Sequence, residues 1–151
     1  QTCALPIYQH LNSSTELHWV QGPYADDPKF DKVNHPHRLQ LHKAPASLAP
    51  LIKRAHFAVT IYGVTFFELL RAGVPTVVFS PYGTKDDAEL IEISRLGLAL
   101  VARDEVHATM ELARLMKDPA LAAKLSQAST AQLLQASPKR LIQAVSQQVA
   151  A

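Results

Sequence analysis

The clearest structural signal in the chain lies in residues 57–81, which read FAVTIYGVTFFELLRAGVPTVVFSP. The nearly continuous apolar run His56–Tyr62 predicts a buried strand. Gly63 breaks this run, and the mostly apolar Thr65–Ala72 predicts a helix. Thr76–Phe79 then predicts a second buried strand. A strand, a turn, a helix and a strand in this order form the βαβ unit of a parallel sheet.

Outside this unit, the chain continues to alternate between predicted strands and helices. Gly73 is expected to end the central helix, and Pro75 prevents its continuation. Further strands are predicted at Leu17–Val20, Arg38–His42 and Leu98–Val101, and a polar loop at Asp26–His37. Further helices are predicted after the cap residue Ser47, at Asp86–Arg95, at Asp104–Met116, from Pro119 to before Pro138, and from Pro138 to Val149. This alternation predicts an α/β fold, a Rossmann-like parallel sheet with helices on both faces.

The composition excludes several classes of protein. The chain has 151 residues, of which 48% are hydrophobic and 19% charged, so a folded core is expected. The net charge of +2 is too small to indicate a nucleic-acid binder. No apolar run approaches the roughly 18 residues that span a membrane, and no signal-peptide pattern is visible. We therefore expect a cytoplasmic protein.

The first residues are not expected to belong to the natural protein. Gln1–Ile7 reads like a translated sequencing adapter whose last base opens the Tyr8 codon, although a natural N-terminal segment is the alternative. On this interpretation residues 1–8 are an artefact and Cys3 has no functional meaning. Residues 9–151 are then a single Rossmann-like domain that is incomplete at its N-terminus.

The candidate ligand-binding residues lie at two predicted strand ends, because ligands of open parallel sheets bind at the carboxyl ends of strands. Gly63 would let a ligand approach the backbone at a helix N-terminus, where free N–H groups favour phosphate oxygens. Thr65 adds a hydroxyl, and the Glu68 carboxylate can accept hydrogen bonds from the two hydroxyls of a ribose. The alternatives are an ordinary turn glycine and a Thr-x-x-Glu capping box.

The combined order of these residues is more specific than any one of them. The pattern Phe57-x-Val-x-Ile-x-Gly-x-Thr-x-x-Glu-x-x-x-x-Gly-Val-Pro-Thr76 resembles the C-terminal domain of two-domain GT-B glycosyltransferases. It is most similar to relatives of the peptidoglycan N-acetylglucosaminyl transferase and of the nucleotide-sugar hydrolase of pseudaminic acid synthesis. The resemblance covers roughly Arg38–Val101. It implies that Glu68 binds the ribose and that Gly63, Val64 and Thr65 contact the nucleotide.

The segment after the second strand departs from this family. Members usually place polar residues there, often Asn or Gln, against the donor sugar, and the Gln pair of the peptidoglycan enzyme would align with Ala88 and Glu89. The candidates to contact the donor sugar here are Thr84, Lys85, Asp86 and Glu89. The alternative is that these four residues form the solvated start of a helix.

The resemblance also implies what the chain would need. A UDP-sugar would be the substrate, with no other cofactor and no obligatory metal. From the sequence itself, His35, His37 and His42 are interpreted as exposed loop histidines. An acceptor-binding N-terminal domain with the catalytic base would be the missing partner, and any peripheral membrane contact would belong to that half. No catalytic residue is predicted within this fragment, which alone would be inactive. A UDP-sugar hydrolase and a non-catalytic nucleotide-binding or interaction module are the alternatives.

Overall fold

The computed structural model describes residues 15–25 and 38–135 of the chain. Strands and helices alternate along these residues, as the sequence predicts. In order they are β1 (Glu16–Gln21), β2 (Arg38–Lys43), α1 (Ala49–Ile52), β3 (Ala58–Ile61), α2 (Val64–Arg71), β4 (Thr76–Phe79), a 3-10 turn (Gly83–Asp86), α3 (Asp87–Arg95), β5 (Leu100–Val101), α4 (Glu105–Lys117) and α5 (Pro119–Gln135). The predictions for residues 1–14, for the loop Asp26–His37 and for the helix Pro138–Val149 lie outside the described residues.

The strands form two parallel sheets. β1 pairs with β2, and β3, β4 and β5 form a second sheet in that spatial order. Consecutive parallel strands of the second sheet are connected by helices, which is the βαβ arrangement predicted from the sequence. The Rossmann-like α/β fold class is therefore confirmed, although within the described residues the strands are divided between two sheets.

β4 is the central strand of the larger sheet and is buried along its whole length. Val78 points to one face, where it packs in a cluster with α2 and α3. Val77 and Phe79 point to the opposite face, where they pack against α4 and α5. Helices thus cover both faces, and this explains why the strand lacks polar alternation.

α5 crosses the amino-terminal edge of this sheet. Gly73 ends α2 with a φ of 69°, and a Cβ at this position would lie 3.3 Å from Ser126 Oγ of α5. The buried Ser129 hydroxyl of the same helix lies 3.4 Å from the backbone oxygen of Leu98, just before β5. Because α5 occupies this edge, the opposite edge, at the carboxyl ends of the strands, is the one left open to a ligand.

Several element boundaries differ from the predictions by one or two residues. β5 begins at Leu100 because the Leu98 N–H donates to the Ile93 oxygen, which completes the end of α3 at Gly97. Leu98 and Ala99 are therefore absent from the predicted strand. The prediction that Ser47 caps α1 is wrong by one residue, because Leu48 is the N-cap and no side chain caps this helix; the Ser47 hydroxyl accepts from the Ala49 N–H at 3.2 Å instead. No helix within residues 15–25 and 38–135 has the length and apolar character needed to cross a membrane.

Candidate functional site

The turn site, as we call Tyr62, Gly63, Val64, Thr65 and Glu68, lies at the carboxyl end of β3. The Tyr62 N–H donates to the Phe79 oxygen at 2.8 Å, which joins this turn to the end of β4. Gly63 has a φ of 157° and a ψ of −164°, a conformation that side chains rarely allow. No atom lies within 4 Å of the place where its Cβ would be. The backbone at Gly63 is therefore open to close approach.

The capping-box alternative for Thr65 and Glu68 is wrong. Gly63 is the N-cap of α2, and no side chain caps this helix. Thr65 is consequently the second helical residue, and Glu68 lies beyond the position that reaches back in a capping box. The hydroxyl and the carboxylate therefore have no capping role that would explain them.

The Glu68 side chain is exposed, and its carboxylate has no hydrogen-bond or ion-pair partner within the described part of the chain. Helical side chains lean toward the N-terminus, so Glu68 lies over the first turn of α2 near Val64, four residues earlier. The Val64 side chain is itself 77% exposed. The start of α2 thus presents free N–H groups, an uncovered apolar side chain and an unpaired carboxylate to solvent.

The predicted donor-sugar segment follows β4 and forms a compact turn. The Ser80 hydroxyl donates to Asp86 Oδ2 at 2.5 Å and accepts from the Tyr82 N–H at 3.1 Å. Lys85 places its ammonium group 5.7 Å from the centre of the Tyr82 ring. Thr84 and Lys85 are exposed on the 3-10 turn. The segment is therefore held by its own side chains rather than being an extended loop.

The structure brings part of this segment beside the turn site. Burial, and then the negative charges of Glu89 and Asp86, raise the pKa of the Tyr62 phenol above its ordinary value. Tyr62 also packs at the margin of the core cluster that contains Leu90, the neighbour of Glu89. Asp86 and Glu89 thus act on the turn site, whereas Thr84 and Lys85 have no contact that joins them to it among the described residues.

A cleft of about 710 Å³ opens on the other flank of α3, at the ends of β4 and β5. We call this region the cleft, and its polar and apolar lining includes Ser80, Asp87, Ile91, Ser94, Arg103 and His107. Residues three to four apart share a helix face, so α3 presents Asp87, Ile91 and Ser94 here and Glu89 to the opposite flank. None of the eight residues predicted for the site lines the cleft.

His107 braces the turn that leads from β5 into α4. Its Nδ1 atom accepts from the Arg103 N–H at 3.2 Å, and its Nε2 atom lies 3.5 Å from Glu111 Oε1. Asp104 caps α4 by accepting from the His107 N–H at 2.7 Å. That hydrogen bond, helped by the Arg103 guanidinium, lowers the pKa of Asp104. His107 therefore positions the cleft wall through its contacts with the Arg103 N–H and the Glu111 carboxylate.

Three residues at the carboxyl edge of the larger sheet were not predicted as site residues from the sequence: Tyr62, Arg103 and His107. The pattern of Asp104 before a helix and His107 three residues later is a capping signal that could have located the brace. No comparable signal marks Tyr62, because its role depends on how α3 is turned toward β3. Among the described residues, no group of three or more His, Cys, Asp or Glu side chains is arranged to hold a metal ion.

Fold and site together define a Rossmann-like α/β protein whose candidate ligand-binding residues lie at the carboxyl edge of its buried parallel sheet. A scan against models of protein families matched none of them to this chain, and a search of curated proteins found no match either.

Proposed function

We propose that this chain is the nucleotide-sugar-binding half of a glycosyltransferase-like enzyme and that the turn site holds the nucleotide of a UDP-sugar. The observation that carries the proposal is the start of α2. There the open backbone at Gly63 lies one turn before Glu68, whose carboxylate is exposed and unpaired in the described part of the chain.

Each part of a nucleotide diphosphate has a partner of suitable chemistry in this arrangement. The free N–H groups and the positive end of the α2 dipole favour the phosphate oxygens. The Glu68 carboxylate can accept hydrogen bonds from both ribose hydroxyls. The exposed Val64 side chain offers apolar surface beside them.

The donor sugar would then extend toward Asp86 and Glu89, whose charges reach Tyr62. Carboxylates accept hydrogen bonds from sugar hydroxyls, so these two residues are the stronger candidates of the four predicted from the sequence. Displacement at the anomeric carbon would require the acceptor-binding half, while the N–H groups at the start of α2 would stabilise the leaving diphosphate.

Calorimetric titration of the 151-residue chain with UDP, UDP-GlcNAc and CMP tests the proposal. We expect UDP and UDP-GlcNAc to bind more tightly than CMP, which lacks the second phosphate. Glu68→Ala should weaken UDP binding by about 1.5–3 kcal/mol, roughly 10- to 150-fold, because a charge-assisted hydrogen bond is lost.

Glu105→Ala is the matched control, since Glu105 is, like Glu68, an exposed carboxylate on a helix but lies in the first turn of α4. This variant should bind UDP as the unaltered chain does. The proposal fails if none of the three nucleotides binds, and the ribose assignment fails if Glu68→Ala and Glu105→Ala retain equal affinity.

A further inference from the structure

One face of the β1–β2 sheet carries a row of polar side chains unrelated to the turn site. Successive residues of a strand point to opposite faces, so Glu16 and His18 share a face of β1. The register places His18 opposite Gln40 and Val20 opposite His42, so Gln40 and His42 belong to the same face. Four polar side chains thus line up across two neighbouring strands.

The two histidine rings of this row meet at their nitrogen atoms. His18 Nδ1 lies 2.9 Å from His42 Nε2, the ring centres are 5.2 Å apart, and the ring planes differ by 24°. This geometry places the rings edge to edge, with one nitrogen of each aimed at the other. In the neutral pair a single proton occupies the space between these nitrogens.

The Glu16 carboxylate lies near the other nitrogen of the His18 ring. Its Oε2 atom lies 3.8 Å from His18 Nε2, and its Oε1 atom accepts a hydrogen bond from Gln40 Nε2 at 2.5 Å. A carboxylate beside Nε2 favours the tautomer with its proton there, which leaves the Nδ1 lone pair free to bind a cation. Histidines that bind metals usually have such a carboxylate behind them.

We propose that His18 Nδ1 and His42 Nε2 form a two-nitrogen binding site for a divalent transition metal ion such as Zn²⁺ or Cu²⁺. Imidazole nitrogens suit these ions, and water molecules complete the coordination. Zinc–nitrogen bonds of about 2.0–2.1 Å in a tetrahedron hold two nitrogens about 3.4 Å apart, so the rings separate by only ~0.5 Å. For both facing nitrogens to bind the ion, the proton between the rings moves to an outer nitrogen, so that His18 Nε2 and His42 Nδ1 each carry one proton and the neutral pair releases none.

Titration of the full chain with Zn²⁺ and Cu²⁺ tests this site, with Mg²⁺ as a control because it prefers oxygen ligands. We expect His18→Gln and His42→Gln each to weaken binding by roughly tenfold or more. Glu16→Gln, which retains both ligands, should weaken it by about 10- to 100-fold, the usual effect of losing a carboxylate behind a ligating histidine. His56→Gln removes an exposed histidine before β3 and should change nothing.

The electron paramagnetic resonance spectrum of bound Cu²⁺ counts the ligating nitrogens directly. It should show two in the unaltered chain and in His56→Gln, and one in His18→Gln and in His42→Gln. The site is refuted if neither ion binds, if the unaltered chain shows fewer than two nitrogens, or if His18→Gln and His42→Gln bind as tightly as His56→Gln. Fewer than two nitrogens on the unaltered chain refutes the site even where a variant fails to fold, and the loss of one nitrogen in His18→Gln and His42→Gln but not in His56→Gln assigns the two ligands.

Discussion

The two parallel sheets of this protein differ in how their faces are covered. β4, in the larger sheet, is buried at all four positions, with Val78 fully inaccessible to solvent. The residues of β1 and β2 are half-buried or exposed except for Gln21, and Val20 of β1 is 42% exposed. The larger sheet is a packed core layer, whereas the β1–β2 sheet presents polar side chains along one face.

This difference decides where each sheet can carry chemistry. Side chains of the covered sheet are used for packing, so polar groups are available only where the strands end, which is where the turn site lies. On the open sheet, the strand residues themselves are available, and His18 and His42 meet on its face. In the larger sheet, burial leaves polar groups available only at the strand ends, whereas in the β1–β2 sheet they are available on the face.

Removing a side chain that covers the larger sheet should have the largest effect. Phe66 of α2 is fully buried in the cluster that contains Val78, whereas its neighbour Phe67 is 51% exposed. Phe66→Ala should lower the free energy of unfolding by about 3–5 kcal/mol, because it leaves a cavity in the core. Phe67→Ala is the control and should cost much less. Urea denaturation measures both, and equal losses would contradict the proposed division between a packed face and an open surface.

The same substitution in both sheets gives the most direct comparison. Val78→Ala removes two buried methyl groups and should cost roughly 1.5–3 kcal/mol of unfolding free energy. Val20→Ala removes the same groups from a half-open position in β1 and should cost under about 1 kcal/mol. Thermal or urea unfolding of the two variants provides the measurement. A larger loss for Val20→Ala would show that the open sheet is covered in solution.

The covered sheet was largely predictable from the sequence. Thr76–Phe79 was predicted residue for residue, and α2 was placed within one residue, because Gly63 and Gly73 mark its two ends by their backbone conformations. Local signals of this kind depend on neighbouring residues only. These local signals were enough to predict the fold class, which the structure confirms. The nucleotide-sugar assignment of the turn site stays a prediction.

The parts that sequence reasoning missed depend on contacts between distant residues. The interpretation of His42 as a loop histidine is wrong, because His42 lies within β2. His18 and His42 are 24 positions apart, and their contact follows from the register of β1 against β2. The division of α3 into a flank toward Tyr62 and a flank toward the cleft depends on how the helix is rotated on the sheet. Amphipathic spacing predicts which helix face is buried but not which strand end each remaining face reaches.

The two flanks of α3 can be distinguished by the titration of Tyr62, which is the smallest effect we predict. The pKa of this phenol is raised above 10.0, so Tyr62 should remain protonated where exposed tyrosines ionise. Its contribution to stability is therefore complete below pH 10.0 and is lost as the pH rises through the folded-state pKa. Glu89→Gln should shift the pKa of Tyr62 down toward its ordinary value, because a nearby negative charge is removed.

Asp87→Asn removes the same charge from the flank that faces the cleft and should leave the Tyr62 titration unchanged. Tyrosinate absorbance at alkaline pH measures the shift, and Tyr62→Phe identifies which of the four tyrosines gives the late component. If Asp87→Asn lowered the pKa of Tyr62 as much as Glu89→Gln does, the negative charge that acts on Tyr62 would come from the whole end of α3. Asp86 and Glu89 would then lose their distinction as the residues nearest a bound sugar, and the turn site and the cleft would have to be treated as a single electrostatic surface.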